Sequence, residues 1–182
     1  MVPEPLYRRV LGPDFERLPA PIRDLHDVRG ERLARGRCRI RRGGHPLARL
    51  AGWLFRMPPA GEDLPVEVVF RPQRGGELWS RSFAGNPLAS FQEAAGRPGW
   101  IFESFGPGRF LLEVPADDAG LALLLCGVRI LGLPLPRVLW PRIRAGESVE
   151  AGRFVFDVEI RLPLAGLLIH YRGHLEPVRP QA

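Results

Sequence analysis

The sequence predicts a mainly antiparallel β protein of the α+β type: a strongly curved sheet or partly closed β-barrel of about eight to nine strands, with an N-terminal helix and one helix after the first strand. Three observations predict it. From Leu64 onward, short runs with apolar residues at every second position follow one another closely. Gly-, Pro- and Asn-bearing turns separate these runs, and helical periodicity is confined to the start of the chain. Twist accumulates over so many strands and long open edges invite aggregation, so the sheet is expected to coil or close.

The elements follow in order. Leu6, Val10, Leu11, Phe15, Leu18, Ile22 and Leu25 recur at helical intervals, but Gly12-Pro13 and Pro19 to Pro21 interrupt them. One or two short helices are expected there. Residues 34–42 alternate strictly, with Ala34, Gly36, Cys38 and Ile40 on one face and Arg35, Arg37, Arg39 and Arg41 on the other. The arginine row meets water, carboxylates of the next strand, or an anionic ligand. Pro46 suits the first turn of a second helix that runs to about Met57, where Pro58-Pro59 ends it. Its apolar stripe, Leu47, Leu50, Ala51, Leu54 and Met57, is expected to plug one end or face of the barrel.

Val66, Val68 and Phe70 then form an inward row, residues 73–76 turn the chain, and residues 78–83 return. Asn86-Pro87 and residues 96–99 punctuate, and Gly106-Pro107-Gly108 joins residues 100–105 to 110–114 as a hairpin. A turn at 116–120 leads into 121–130. After a Pro-broken stretch, residues 146–152 lead into the cleanest strand, with Phe154, Phe156, Val158, Ile160 and Leu162 inward and Val155, Asp157, Glu159 and Arg161 outward. Residues 164–175 complete the fold.

A chain of 182 residues suits one domain, 1–182, and can bury roughly 70% of its unfolded surface without metal or disulfide. The net charge is +6 and every one of the 26 basic residues is Arg. Their dispersal among carboxylates argues against a phosphate-tracking face, so no nucleic-acid partner is expected. Cys38 and Cys126 each fall in an apolar row and are expected to be buried free thiols. The start lacks a signal-peptide apolar region, and the longest apolar run, 119–128, falls short of the ~20 residues of a spanning helix. A soluble, cytoplasmic protein with no transmembrane segment is expected, with its oligomeric state left open.

Two stretches carry the candidate site. Trp79, Arg81 and Phe83, and then Ile101, Glu103 and Phe105, each place a charge inside an apolar row at strand spacing. Burying either charge alone costs several kcal/mol, so the two are expected to pair in the interior on adjoining strands. That pair is either an internal register lock or the polar anchor of an apolar ligand cavity. Glu147 and Tyr171 are the next candidates to line such a cavity.

Leu6-Tyr7 with Leu11-Gly12, Trp79 with Arg81 and Phe83, Glu103 with Phe105-Gly106-Pro107, Pro134-Leu135-Pro136, Glu147, and residues 154–173 together resemble an uncharacterised bacterial family. That family is catalogued as a domain of unknown function, found alone or fused after a saccharopine-dehydrogenase-like oxidoreductase module. The resemblance implies a self-standing domain beside redox enzymes and carries over no catalytic residue. No Gly-rich strand-to-helix loop is present for dinucleotide binding.

Other candidates are weaker. His170 and His174 lie on a strand, where four residues span ~13 Å, too far to share a metal at ~2 Å bonds. Ser80, Ser82 and the Asp117-Asp118 turn assemble no nucleophile or acid–base pair. Segment 131–144, with Arg137, Trp140 and Arg142 at the edge of Leu and Pro residues, reads as a Pro-fixed crossing over the barrel end, or as a portal, partner contact or membrane-surface touch. The expected function is non-catalytic binding of a small hydrophobic molecule by Arg81, Glu103, Glu147, Tyr171, Trp79 and Phe105, without cofactor or metal. The alternative is an accessory domain docking on an oxidoreductase through 131–144, and an enzyme that uses Glu103 or Tyr171 ranks third.

Overall fold

Each long alternating run forms a strand, and each strand of the barrel pairs antiparallel with its neighbours along the chain. In the computed structural model, which describes residues 4–178, ten strands close into an up-and-down barrel. They are β1 (Arg32–Arg42), β2 (Gly61–Gln73), β3 (Gly76–Phe83), β4 (Asn86–Ala94), β5 (Trp100–Phe105), β6 (Gly108–Glu113), β8 (Gly120–Ile130), β10 (Arg142–Glu150), β11 (Arg153–Leu162) and β12 (Gly166–Pro177). Two short pieces outside the ring, β7 (Ala116–Asp117) and β9 (Leu133–Pro134), both pair with β8.

The barrel has more strands than the sequence suggests, and it closes fully. Strand β4 contains Pro87, which reads as punctuation in the sequence; it is the second residue of the strand, beside the Ala84-Gly85 turn, where a missing N–H disturbs the ladder least. Strand β10 holds Glu147 and Ser148 among small residues, which hides its alternation. Closure comes from β1 pairing with β12, with Cys38 opposite Gly173 and Ile40 opposite Tyr171. Register shifts in β1–β2, β6–β8 and β11–β12 bend the strands around the ring.

The hairpin connections alternate between the two ends. One end is closed by three short helices, α1 (Leu6–Leu11), α2 (Asp14–Arg17) and α3 (Ala20–His26), broken where the prolines predict. They bury Leu6, Tyr7, Phe15, Ile22 and Leu25, each worth about 1.5–3 kcal/mol of apolar burial. Backbone bonds tie this plug down, with the Gly99 amide donating to the Val10 carbonyl at 2.8 Å. At the other end lies α4 (Pro46–Leu54), capped by His45, whose Nδ1 accepts from the Leu47 amide at 3.2 Å.

The expected orientation of α4 needs correction. Ala48 and Gly52 are its buried residues, whereas Leu47, Leu50 and Leu54 of the anticipated core stripe are exposed. The small residues face inward because a side chain at Gly52 would strike the Arg42 guanidinium, which donates to the Met57 and Pro58 carbonyls at 2.9 and 2.8 Å. Cys38 is buried, and burial pushes its thiol up to about 11; Cys126 is only partly buried, contrary to expectation. Arg35, Arg37 and Arg39 on the outer face of β1 meet Glu67, Asp63 and Glu62 of β2, so three of the row's four arginines are paired by carboxylates, while Arg41 is exposed with no carboxylate partner among the described residues. The Asp63 carboxyl is held below its ordinary value by the Arg37 hydrogen bond.

Candidate functional site

Ten strands leave an interior wider than side chains fill, and the barrel encloses a cavity of about 370 Å³. That size lies in the range of about 300–1,000 Å³ typical of small-molecule sites. Its wall is mostly aliphatic and aromatic, with Val66, Val68, Phe70, Phe83 and Phe156 among the lining side chains. Trp79, Arg81, Glu103, Phe105, Glu147 and Tyr171 all face this space.

A polar chain runs through the apolar wall. Tyr7 of α1 donates its hydroxyl to Gln92 Oε1 at 3.0 Å, and Gln92 Nε2 donates to Glu103 Oε1 at 3.2 Å. Glu103 then faces the Arg81 guanidinium at 3.6 Å, and Arg81 donates to Ser90 Oγ at 2.8 Å. Arg81 and Glu103 do pair in the interior, with their side chains 14% and 15% exposed, but not on adjoining strands. Strand β4 lies between β3 and β5, and its Ser90 and Gln92 bridge the two charges. Arg81 also stacks its guanidinium over the Trp79 ring at 5.0 Å.

Beside Tyr7, at the head of this chain, His26 at the end of α3 meets Glu147 Oε2 through Nε2 at 2.5 Å. The imidazole sits between Tyr7 and Trp79, with ring centroids 3.9 and 5.5 Å away, and its Nδ1 is buried with no partner among the described residues. Below Trp79, Glu77 accepts from the Leu6 amide at 2.9 Å and from Trp79 Nε1 at 3.2 Å. Burial raises the Glu77 carboxyl above its ordinary value despite these two donors.

Tyr171 of β12 packs its ring against Phe83 and Phe156. Its hydroxyl has no hydrogen-bond partner among the described residues and lies in the field of Arg81, Glu103 and Glu147. Burial pushes this phenol up to about 12, so at neutral pH it is a donor.

Residues 18–175 match the family model described as a domain of unknown function, DUF4166. The chain belongs to this family. No curated protein matches it. The DUF4166 match takes in the barrel up to Leu175 of β12, including Arg81, Glu103, Glu147 and Tyr171, and leaves out α1 with Tyr7 and α2.

The portal candidates are placed differently. Trp140 tucks against the core with its Nε1 donating to the Leu135 carbonyl at 2.7 Å, and Arg137 stacks over its ring at 5.5 Å. Arg137 and Arg142 are exposed, and it is Leu135, Leu139, Pro141 and Ile143 of this segment that reach the cavity. His170 faces outward and bonds Asp157 at 2.9 Å. Among the described residues no group of His, Cys, Asp and Glu side chains gathers closely enough to hold a metal ion.

Sequence reasoning missed His26, Ser90, Gln92 and Tyr7. Leu88, Ser90 and Gln92 share a face at strand spacing, the same polar-within-apolar signal that singles out Arg81. His26 has no such local signal, since its partner Glu147 is 121 residues away.

Proposed function

We propose that this barrel is a cytoplasmic, non-catalytic binding domain for a small apolar molecule that carries a hydroxyl group. The carrying observation is the cavity itself, apolar over most of its wall with one polar cluster inside. The charges in that cluster favour a neutral ligand. One guanidinium, Arg81, already engages Ser90 and Glu103, whereas Glu103 and Glu147 supply two carboxylates. A fatty-acid headgroup therefore meets net negative charge, and a hydroxyl meets acceptors together with the free Tyr171 phenol.

Decanol and decanoate test this reading in vesicle-free buffer, by thermal shift and by displacement of Nile red. Decanol is expected to raise the melting temperature and displace the dye; decanoate is expected to do neither. Tyr171→Phe should weaken decanol about fivefold, the worth of one net hydrogen bond. Absence of dye uptake and of any shift with decanol would sink the proposal.

A second reading comes from the family resemblance: an accessory domain beside a saccharopine-dehydrogenase-like module. It is favoured by the exposure of Arg137 and Arg142 on segment 131–144. Arg137→Ala with Arg142→Ala should then weaken association with such a module, and unchanged association would remove this reading.

A further inference from the structure

We propose that the open end of the barrel docks on the surface of an anionic lipid bilayer. Four features of that end converge. The first is its composition. The connections there are 43–60 with α4, 84–85, 106–107, 131–141 and 163–165, and none contains an Asp or a Glu. They carry Arg49, Arg56 and Arg137, all exposed and without a carboxylate partner among the described residues. The helical end is different: Asp14, Glu16, Asp27 and Asp118 there engage Arg8 and Arg17.

The second is exposed apolar surface. Trp53 on α4, Leu131 and Val138 in the β8–β10 connection, and Leu164 at the β11–β12 tip are 75%, 80%, 77% and 93% exposed. Isolated exposed leucines are ordinary, but here they gather on separate connections at one end. Two of these connections are joined through a third: the Leu131 amide donates to the Pro107 carbonyl at 2.8 Å, and the Gly106–Gly108 tip packs against Phe55 just after α4.

The third is backbone conformation. Leu131 and Leu164 sit at φ of +51° and +62°, where glycine or asparagine is unstrained, yet both hold a large apolar side chain out into solvent. Nothing in the barrel's packing uses either side chain, which is strain kept without a folding return.

The fourth is the cavity. Leu54 on α4 and Leu139 on the facing connection both line it and are each about half exposed, whereas Leu25 and His26 at the helical end are buried, so its mouth opens at this end. A bilayer fits these features better than a protein. The apolar groups are separate projecting tips rather than one concave groove, and guanidinium and indole groups beside leucine tips suit the headgroup boundary. Anionic headgroups supply the charge that the free arginines lack.

The test is co-sedimentation with vesicles of phosphatidylcholine alone and of phosphatidylcholine mixed with phosphatidylglycerol, with no other ligand present. The protein should pellet with the mixed vesicles, and added salt should release it. Arg49→Glu with Arg56→Glu should lower the partition coefficient at least tenfold, since each arginine near an anionic surface is worth about fivefold. Trp53→Ser with Leu164→Ser should lower it comparably, and a Trp53 emission shift to the blue should accompany wild-type binding. These positions are exposed, so melting curves should match wild type and exclude misfolding. Equal recovery in the supernatant with both vesicle types would overturn the proposal. So would variants that bind like wild type, or a concentration-dependent dimer that Trp53→Ser abolishes in a protein that ignores vesicles. Decanol uptake reads the cavity alone, so failure there and failure here are separate results.

Discussion

At the scale of single residues, the interior polar groups decide how stability depends on pH. Glu77 is buried beneath Trp79, and burial raises its carboxyl above the ordinary 4.5. A raised folded-state value means that the folded chain binds this proton more tightly than the unfolded chain. The stabilisation is therefore complete below about 4.5 and is lost as pH rises through the raised value. Wild type is expected to gain thermal stability relative to Glu77→Gln as pH falls from neutrality toward 4.5, which paired melts across that window would check. A difference independent of pH would show that Glu77 is not the titrating group. Arg81 and Glu103 could be read from the sequence because each interrupts an apolar row at period two. Glu77 could not, because the residue before it in the same row is Gly75 of the turn, so no apolar side chain flanks it on that side.

Among the elements, the tight hairpins show where local sequence and required backbone disagree. Ala151 and Gly152 join β10 to β11 with φ of +49° and +76°, the pair of positive values that a two-residue antiparallel turn demands. Glycine adopts this freely, but alanine in the left-handed region costs about 1 kcal/mol or more. Ala151→Asn should therefore raise the melting temperature by about 2–4 °C for a chain of this size. A lowered melting temperature would mean that the side chain at 151 is used elsewhere. The helix α4 gives the complementary case. Its start at Pro46 is local chemistry and follows from sequence, but it ends at Leu54, before the expected Met57, where Arg56 turns to φ +50°. Which face it buries is not local, since Arg42 occupies the space beneath Gly52.

For the molecule as a whole, closure of the ring is the event on which the cavity depends. It happens at the β1–β12 seam, where a Cβ at Gly36 would lie 1.7 Å from the His174 carbonyl oxygen and one at Gly173 would lie 2.3 Å from that of Arg37. Both obstructing atoms are backbone, so no side-chain rotation relieves them. Gly36→Val is expected to cost about 3 kcal/mol or more in urea unfolding and to abolish Nile red uptake by opening the seam. Wild-type stability in that variant would contradict the closed ring. The chain's own residues determined the antiparallel class, the broken N-terminal helices, the α4 start and the inward rows of Arg81, Glu103, Tyr171 and Phe156, because period, proline and turn chemistry act over a few residues. Only the tertiary structure decided that the ring closes at ten strands, that Ser90 and Gln92 lie between Arg81 and Glu103, that His26 meets Glu147, and that α4 turns its leucines to solvent. Those outcomes depend on which backbones come within a few ångströms across long stretches of chain, and no local pattern encodes that distance.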